Sequence, residues 1–415
     1  MVRYSLLSFI FVLLMAWTDL QAQNNSGNKV TIAGQSSSRR VITTSVPFLM
    51  IAPDARAGGM GEVGVSTVPD ANSAHWNAAK LAFVDQEMGF SLNYTPWLGR
   101  IIDDMSISYL SGYYKISREQ AIGIHIRYFD LGDITFNTGP LDIDIIGQYN
   151  PREFTVGGTY SRVLIENTLG IGISARFIHS NLTGNIISGN SDAQAGKSVA
   201  ADVGVYYNKD ILLSGNNSNI TFGASINNIG AKLTYSNEDF NEFIPTNLRL
   251  GSAFTTNLDP YNSLTFAMDF NKLMVPTPPI YELDENGNLK LDGNEDPIIL
   301  DGKDPDRPLL AGMFGSFADA PDGFSEELKE VMIAFGTEYW YNDVFAARAG
   351  YFYEDREKGN RKFFTLGLGF RYQVFGIDFA YLIPQERQPT HPLAETLRFG
   401  LVFNFEGNPN KTVRE

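Results

Sequence analysis

In the run from Phe363 to Gln373, FFTLGLGFRYQ, residues Phe364, Leu366, Leu368, Phe370 and Tyr372 share one face of an extended chain, and Thr365, Gly367, Gly369, Arg371 and Gln373 share the other. Strand side chains alternate with a period of two, so the pattern specifies a strand with one apolar and one small or polar face. Residues 397–405 repeat it, setting Leu397, Phe399, Leu401, Phe403 and Phe405 against Arg398, Gly400, Val402 and Asn404. Comparable runs predict fourteen strands, near 86–95, 103–116, 120–135, 151–164, 167–181, 197–208, 218–235, 245–257, 261–273, 329–341, 343–354, 361–373, 374–383 and 394–405. After Ala82 no stretch of eighteen apolar residues occurs, so no helix there is expected to cross a bilayer.

The joins narrow the fold class. Those at Ser117–Glu119, Ile165–Thr168, Asp259–Pro260, Asn342 and Gln373–Gly376 are tight, and most of those between them are longer. An even strand number with alternating short turns and long loops is the layout of an outer-membrane barrel, whose chain ends both lie on the periplasmic side. A soluble sandwich shares the alternation along each strand. The expected fold is therefore all-β, a 14-stranded antiparallel transmembrane β-barrel with its apolar face towards lipid.

The other face carries Arg127, Arg176, Arg249, Arg348, Arg371 and Arg398, with Asp202, Asp269, Glu338 and Asp378. Buried charges are tolerated when paired and hydrogen-bonded. These ten residues predict an ion-paired lumen filled by protein or water in place of a greasy ligand tunnel; the competing reading is that they solvate a wide pore.

The start of the chain reads as a secretory signal, with Arg3, an apolar run from Leu6 to Trp17, and a small residue, Ala22, at the cleavage position. There are no cysteines, which excludes disulfides and thiolate metal sites. The net charge of −15 argues against nucleic acid as a partner. Much of that charge is local: Met274–Leu328 holds thirteen acidic residues against Lys290, Lys303 and Arg307, with seven prolines, and reads as a solvated excursion.

Signals for chemistry are sparse. No G-x-S-x-G, H-E-x-x-H or Walker motif occurs, and the histidines have no ligand spacing, so neither an enzyme nor a cofactor is expected. Gly59-x-Gly61-x-x-Gly64 has the spacing of a dinucleotide turn, but no βαβ unit follows to use it. Gly58, Gly59, Gly61 and Gly64 are instead expected to let the chain pass close to an inner wall where a Cβ would clash. Asp284, Asn286, Asn288, Asp292 and Glu295 fall at ligand positions of an EF-hand-like calcium loop, although Leu289 replaces the turn glycine and no flanking helices are evident. Apolar residues on outer loops either fold back on the barrel or meet a partner. Trp97, Leu98, Phe240, Phe243, Phe314, Phe317 and Phe324 are read as a protein-binding outer face, with Met313 posing the same choice.

The segment Asp54–Phe83, DARAGGMGEVGVSTVPDANSAHWNAAKLAF, resembles the plug motif of the FadL-like outer-membrane barrels, in which a glycine-rich stretch leads to D-x-x-S and an aromatic followed by N-P-A. Asp70, Ser73, Trp76, Asn77 and Ala79 match, Asn72 lies within the motif, and Ala78 stands where the proline usually is. Within that superfamily the chain is similar to the PorV (LptO) family of the type IX secretion system. The resemblance implies a plug on the periplasmic side of the barrel. It also implies a barrel that receives the C-terminal signal domain of secreted cargo at a SprA-type translocon barrel and shuttles it to a PorU-type sortase, or attachment, complex at the cell surface. A FadL-type channel for hydrophobic solutes and a lipid A-modifying barrel enzyme are the alternatives. The expected organisation is a signal peptide at 1–22, a flexible N-terminal segment at 23–45, the plug at 46–85, the barrel at 86–405 with 274–328 as an acidic extracellular loop, and a periplasmic tail at 406–415.

Overall fold

The structure is a computed structural model that describes residues 40–99, 104–137, 145–182, 194–235, 241–285, 288–385 and 396–406. The expected signal peptide, most of the segment 23–45 and the tail beyond Glu406 lie outside the described residues. The strands are β1 (Met88–Pro96), β2 (Ser106–Lys115), β3 (Gln120–Asp130), β4 (Ile134–Asn137), β5 (Ile145–Tyr149), β6 (Arg152–Ile165), β7 (Leu169–Asn181), β8 (Gly196–Leu213) and β9 (Asn216–Gly230). They continue with β10 (Asn247–Asp259), β11 (Asn262–Leu273), β12 (Ile280–Tyr281), β13 (Ile299–Asp301), β14 (Val331–Tyr341), β15 (Phe345–Tyr353), β16 (Lys362–Tyr372), β17 (Phe375–Pro384) and β18 (Leu397–Phe405). Fourteen of them form one closed antiparallel barrel, while β4–β5 and β12–β13 make separate two-stranded sheets. Closure runs through β1 and β18, in register from Met88 opposite Phe405 to Tyr94 opposite Phe399.

Several boundaries differ from the sequence expectation, among them the strand expected at 218–235, which ends at Gly230, and in two places the reason is local. The third strand leaves the barrel at Asp130, because Gly132 at φ 78° turns the chain and β4 pairs with β5 instead. The hairpin β8–β9 is longer than expected, closed by Ser214 and Gly215 at φ 54° and 90°, the left-handed pair that suits a two-residue turn. Along β16, Phe364, Leu366, Leu368 and Phe370 all face outward and are exposed, and Thr365 is buried inward. The apolar face is thus the lipid-facing one.

The chain before β1 fills the lumen lengthwise. Short helical turns at Pro47–Met50, Ala55–Gly58, Ser73–Trp76 and Ala78–Phe83 carry it through. Its end nearest the strands reaches the short turns, where Lys115 Nζ donates to the Val84 carbonyl at 2.6 Å. Its beginning lies at the opposite end. Val46, Phe48 and Leu49 pack against Met105, Ile107, Phe129, Ile178, Leu233 and Ile244, all at the long-loop ends of strands or just beyond them. The described part of the plug thus extends from the expected short-turn side up to the long-loop end. Arg40–Ser45, expected to be flexible, are held too: Ser45 N donates to the Phe243 carbonyl at 3.0 Å, and Arg40 pairs with Glu326.

Phe48 stacks on Phe129 with ring centroids 6.1 Å apart and is 1% exposed. Phe48→Ala is expected to destabilise the plugged barrel by about 3–5 kcal/mol. The measurement is the temperature at which the compact, fast-migrating form of the purified barrel disappears in gel electrophoresis.

Candidate functional site: the plugged lumen and the long-loop face

Backbone meets backbone where the plug touches the wall. A Cβ added at Gly59 would lie 2.9 Å from the Gly367 Cα, and one at Gly61 would lie 2.6 Å from both the Phe335 carbonyl and the Tyr351 amide. Gly61 also has φ 70°, and Gly64 lies against the Trp76 indole with no room for a side chain. The wall reciprocates: Gly336 and Gly350 face Met60 and Gly61, Gly172 faces Ala78, Gly204 faces Asn77, and Gly223 faces Val65. Gly58 lies against Arg398.

The polar residues of the plug motif hold this shape. Asp54 caps the first helix by accepting from Ala57 N at 2.8 Å, and its other oxygen accepts from Trp76 Nε1 at 2.7 Å. Asp70 accepts from Asn72 N at 2.9 Å and pairs with Arg56 at 3.0 Å, while its own amide donates to Ser73 Oγ at 2.9 Å. Asn72 Oδ1 accepts from Asn93 on β1 and Ser111 on β2 at 3.1 and 3.0 Å. Asn77 Nδ2 donates to the Val205 carbonyl on β8 at 2.9 Å, and Asn77 Oδ1 accepts from Ala79 N at 3.1 Å. Lys80, almost wholly buried, donates to the Gly64 carbonyl at 2.6 Å.

Sequence reading did not single out Asp54, Arg56 or Lys80. The signal for Asp54 was present, since an aspartate immediately before a short helical stretch is an N-cap pattern.

The lumen charges fall into separate groups, several of them completed by the plug. One group runs from the plug across four strands: Arg56 makes two bonds to Glu338 at 2.8 and 2.9 Å, Arg348 bridges Glu338 at 2.6 Å and Asp378 at 2.8 Å, and Arg371 reaches Asp378 at 2.6 Å. Arg398 pairs with Glu62 of the plug at 2.7 Å, and Arg176 pairs with Asp202. Arg127 instead donates to the Phe48 and Ile51 carbonyls at 2.7 and 2.8 Å, because the turn at Pro47–Met50 aims those oxygens at it. Arg249 stacks over the Trp76 ring, 4.9 Å from its centroid. Asp269 accepts from the Gly64 and Val65 amides at 2.8 and 2.9 Å. Plug groups thus supply many of the partners. Below them, at the short-turn end, a recess of about 760 Å³ lined by Arg56, Asp70, Asp85, Trp340 and Arg371 stays open.

At the long-loop end the expected partner residues separate. Phe243 is buried beneath Gly312 with Lys232 Nζ 4.5 Å above its ring, and Met313 is buried as well. Trp97 and Leu98 are half-buried against the plug cluster. Phe243 and Met313 thus fold back on the barrel, and Trp97 and Leu98 do so in part, one of the two choices open to apolar residues of outer loops. Phe314, Phe317 and Phe324 are exposed, and Phe240 lies outside the described residues.

Bridges Leu283–Leu289 and Leu291–Pro297 divide the described residues of the calcium reading between two turns. Asp284 accepts from Asn288 N at 2.8 Å in one, and Asp292 accepts from Asn294 N and Asp296 N at 2.7 and 3.0 Å in the other. Each carboxylate serves its own turn, and among the described residues no group of acidic or histidine side chains is placed to hold a metal. Glu295 is exposed, and Asn286 is outside the described residues.

The acidic segment is fastened by a cluster that sequence reading missed, although Glu326 and Glu330 stand four apart on one helical face. Glu326 receives Arg40 and Lys358, the latter at 2.6 Å; Glu330 receives Lys358 at 2.8 Å and Lys272 at 2.5 Å; Glu327 receives Lys272 at 2.9 Å. Burial by itself would raise the Glu326 carboxyl, but hydrogen bonds from Arg40 and Lys358 outweigh it and hold it at about 2.

Two outcomes follow from this geometry. Gly61→Val should add about 1–3 kcal/mol of backbone strain and a similar overpacking cost, seen as a lower melting temperature of the folded barrel. A carboxyl held down in the folded state stabilises above its ordinary value of 4.5 and loses that contribution as pH falls towards 2. Wild type should therefore exceed Glu326→Gln in heat stability by on the order of 3 kcal/mol above the ordinary carboxylate range. That advantage should shrink steadily in melting curves recorded at successively lower pH.

The family described as "Type IX secretion system protein PorV" matches this chain over residues 34–280, more than half of its length. No curated protein matches it. Among solved structures, the Ralstonia pickettii toluene transporter TbuX is 12% identical with a TM-score of 0.44, over 85% of this chain and 98% of that one. The Pseudomonas putida toluene transporter TodX is 12% identical with a TM-score of 0.45, over 84% and 96%. A Pseudomonas aeruginosa FadL homologue is 11% identical with a TM-score of 0.39, over 89% and 100%. At these levels the likenesses say nothing of what this chain binds. The family match runs from the N-terminal segment through the plug and β11 to the start of the acidic segment, and the chain belongs to the PorV family, outer-membrane barrel components of the type IX secretion system.

Proposed function

We propose that this barrel is a carrier and scaffold that binds the C-terminal signal domain of secreted cargo at a SprA-type translocon barrel and passes it to a PorU-type attachment complex on the cell surface. The observation that carries the reading is the packed plug. Backbone-to-backbone contacts at Gly59, Gly61 and Val65 tie it to opposite sides of the wall, and Phe48 and Leu49 occupy the apolar outer part of the lumen. A solute channel needs that space. A barrel filled in this way has its loop face and outer wall to offer, which suits a protein-binding role.

On the loop face, Leu310 and Phe314 stand one helical turn apart on Leu309–Gly315 and are both largely exposed, while Gly312 and Met313 between them are buried. We assign this pair as an anchor for a protein partner. Affinity purification of the barrel from outer membranes, with identification of what accompanies it, is expected to recover cargo C-terminal domains and a translocon barrel. Leu310→Ser with Phe314→Ser should lower cargo recovery about tenfold, the effect of losing one modest hot spot. Recovery of neither class of protein by the wild-type barrel would sink the reading.

A further inference from the structure

Beside the barrel at its long-loop rim lies a groove of about 240 Å³ whose apolar lining comes from two sources. Leu248, Leu250 and Phe270 of β10 and β11 form one side, and Phe317, Phe324 and Leu328 of the acidic segment form the other. Leu250 and Phe270 belong to the outward face that also carries Phe266 and Met268, so this side of the groove is the upper edge of the lipid-facing belt. Phe324 is 76% exposed and Leu328 58%, an apolar surface that water does not favour.

We propose that this groove holds an acyl chain of a lipid in the membrane leaflet at the long-loop end, so that Phe317, Phe324 and Leu328 extend the lipid-facing belt onto the loop. Continuity with the belt favours lipid over protein, since a protein docked there would have to displace lipid from Leu250 and Phe270. The chemistry of the lining agrees. Its charged members, Lys272 and Glu327, are buried and paired with each other at 2.9 Å, leaving a surface that asks nothing polar of its occupant. The orientation is also fixed: Glu326, Glu327 and Glu330 bind Arg40, Lys272 and Lys358, and this inward attachment leaves the apolar residues of the Phe324–Lys329 helix pointing away. An interfacial helix works on the same principle, with its apolar face in the acyl region and its charged face satisfied elsewhere.

The test is a tryptophan reporter in the full chain. Phe324→Trp is placed in nanodiscs of phosphatidylcholine whose acyl chains carry bromine, and its emission is obtained by subtracting wild type, which carries Trp17, Trp76, Trp97 and Trp340. The added emission is expected to be largely lost in brominated discs relative to unbrominated ones and to be protected from aqueous iodide; Leu328→Trp is expected to behave alike. Quenching by iodide with no response to brominated chains, for both reporters, overturns the proposal. A photo-crosslinking residue at position 324 in cells separates the occupants: adducts to lipid support the proposal, and adducts mainly to protein overturn it.

Discussion

In hydrocarbon an unpaired backbone amide or carbonyl costs several kcal/mol. A strand-built chain can cross a bilayer only by closing its sheet. The pairing of β1 with β18 is that closure, and the remaining architecture follows from it. Closure fixes one face of every strand towards lipid and the other towards a lumen that must also be occupied. Lipid accepts the first face because it is apolar. The second face, with its arginines and carboxylates, needs partners of its own, and the preceding forty residues provide many of them. Glycines at the contacts make this possible. With side chains at Gly59 and Gly367, or at Gly61 and Gly350, the plug backbone could not come close enough for Arg56 to reach Glu338 or for Asp269 to reach the Gly64 and Val65 amides.

The strands were legible in the sequence because a period of two is a property of the backbone itself and survives in any environment. Where an expected strand ran too far, at 120–135, a single glycine with positive φ decided the end, and pattern reading gave Gly132 too little weight. The inward arginines were also legible as a face. Their partners were not, since Arg56 and Glu338 are 282 residues apart in the chain and nothing local to either points to the other. The same limit hid the direction of the plug. That Phe48 and Leu49 lie at the long-loop end depends on Met105, Phe129, Leu233 and Ile244 meeting there, a tertiary fact with no local trace. Phe243 shows the converse: an apolar residue in an outer connection reads as exposed until the segment that covers it is placed.

The acidic segment is where composition misled most. Thirteen acidic residues in Met274–Leu328 describe a solvated excursion if each is free to face water. Much of the stretch behaves so, with Asp284 and Asp292 shaping exposed turns. Glu326 and Glu327, with Glu330 just beyond, do the opposite: they are buried and hydrogen-bonded to cations from the N-terminal segment, from β11 and from the β15–β16 connection. Ion pairs out of water are tolerated only with such multiple contacts. Once the charges of this short helix turn inward, its apolar residues have only the outside left. The helix therefore repeats the arrangement of the barrel that carries it, with buried carboxylates within and apolar side chains without, which is the form that a surface beside lipid requires.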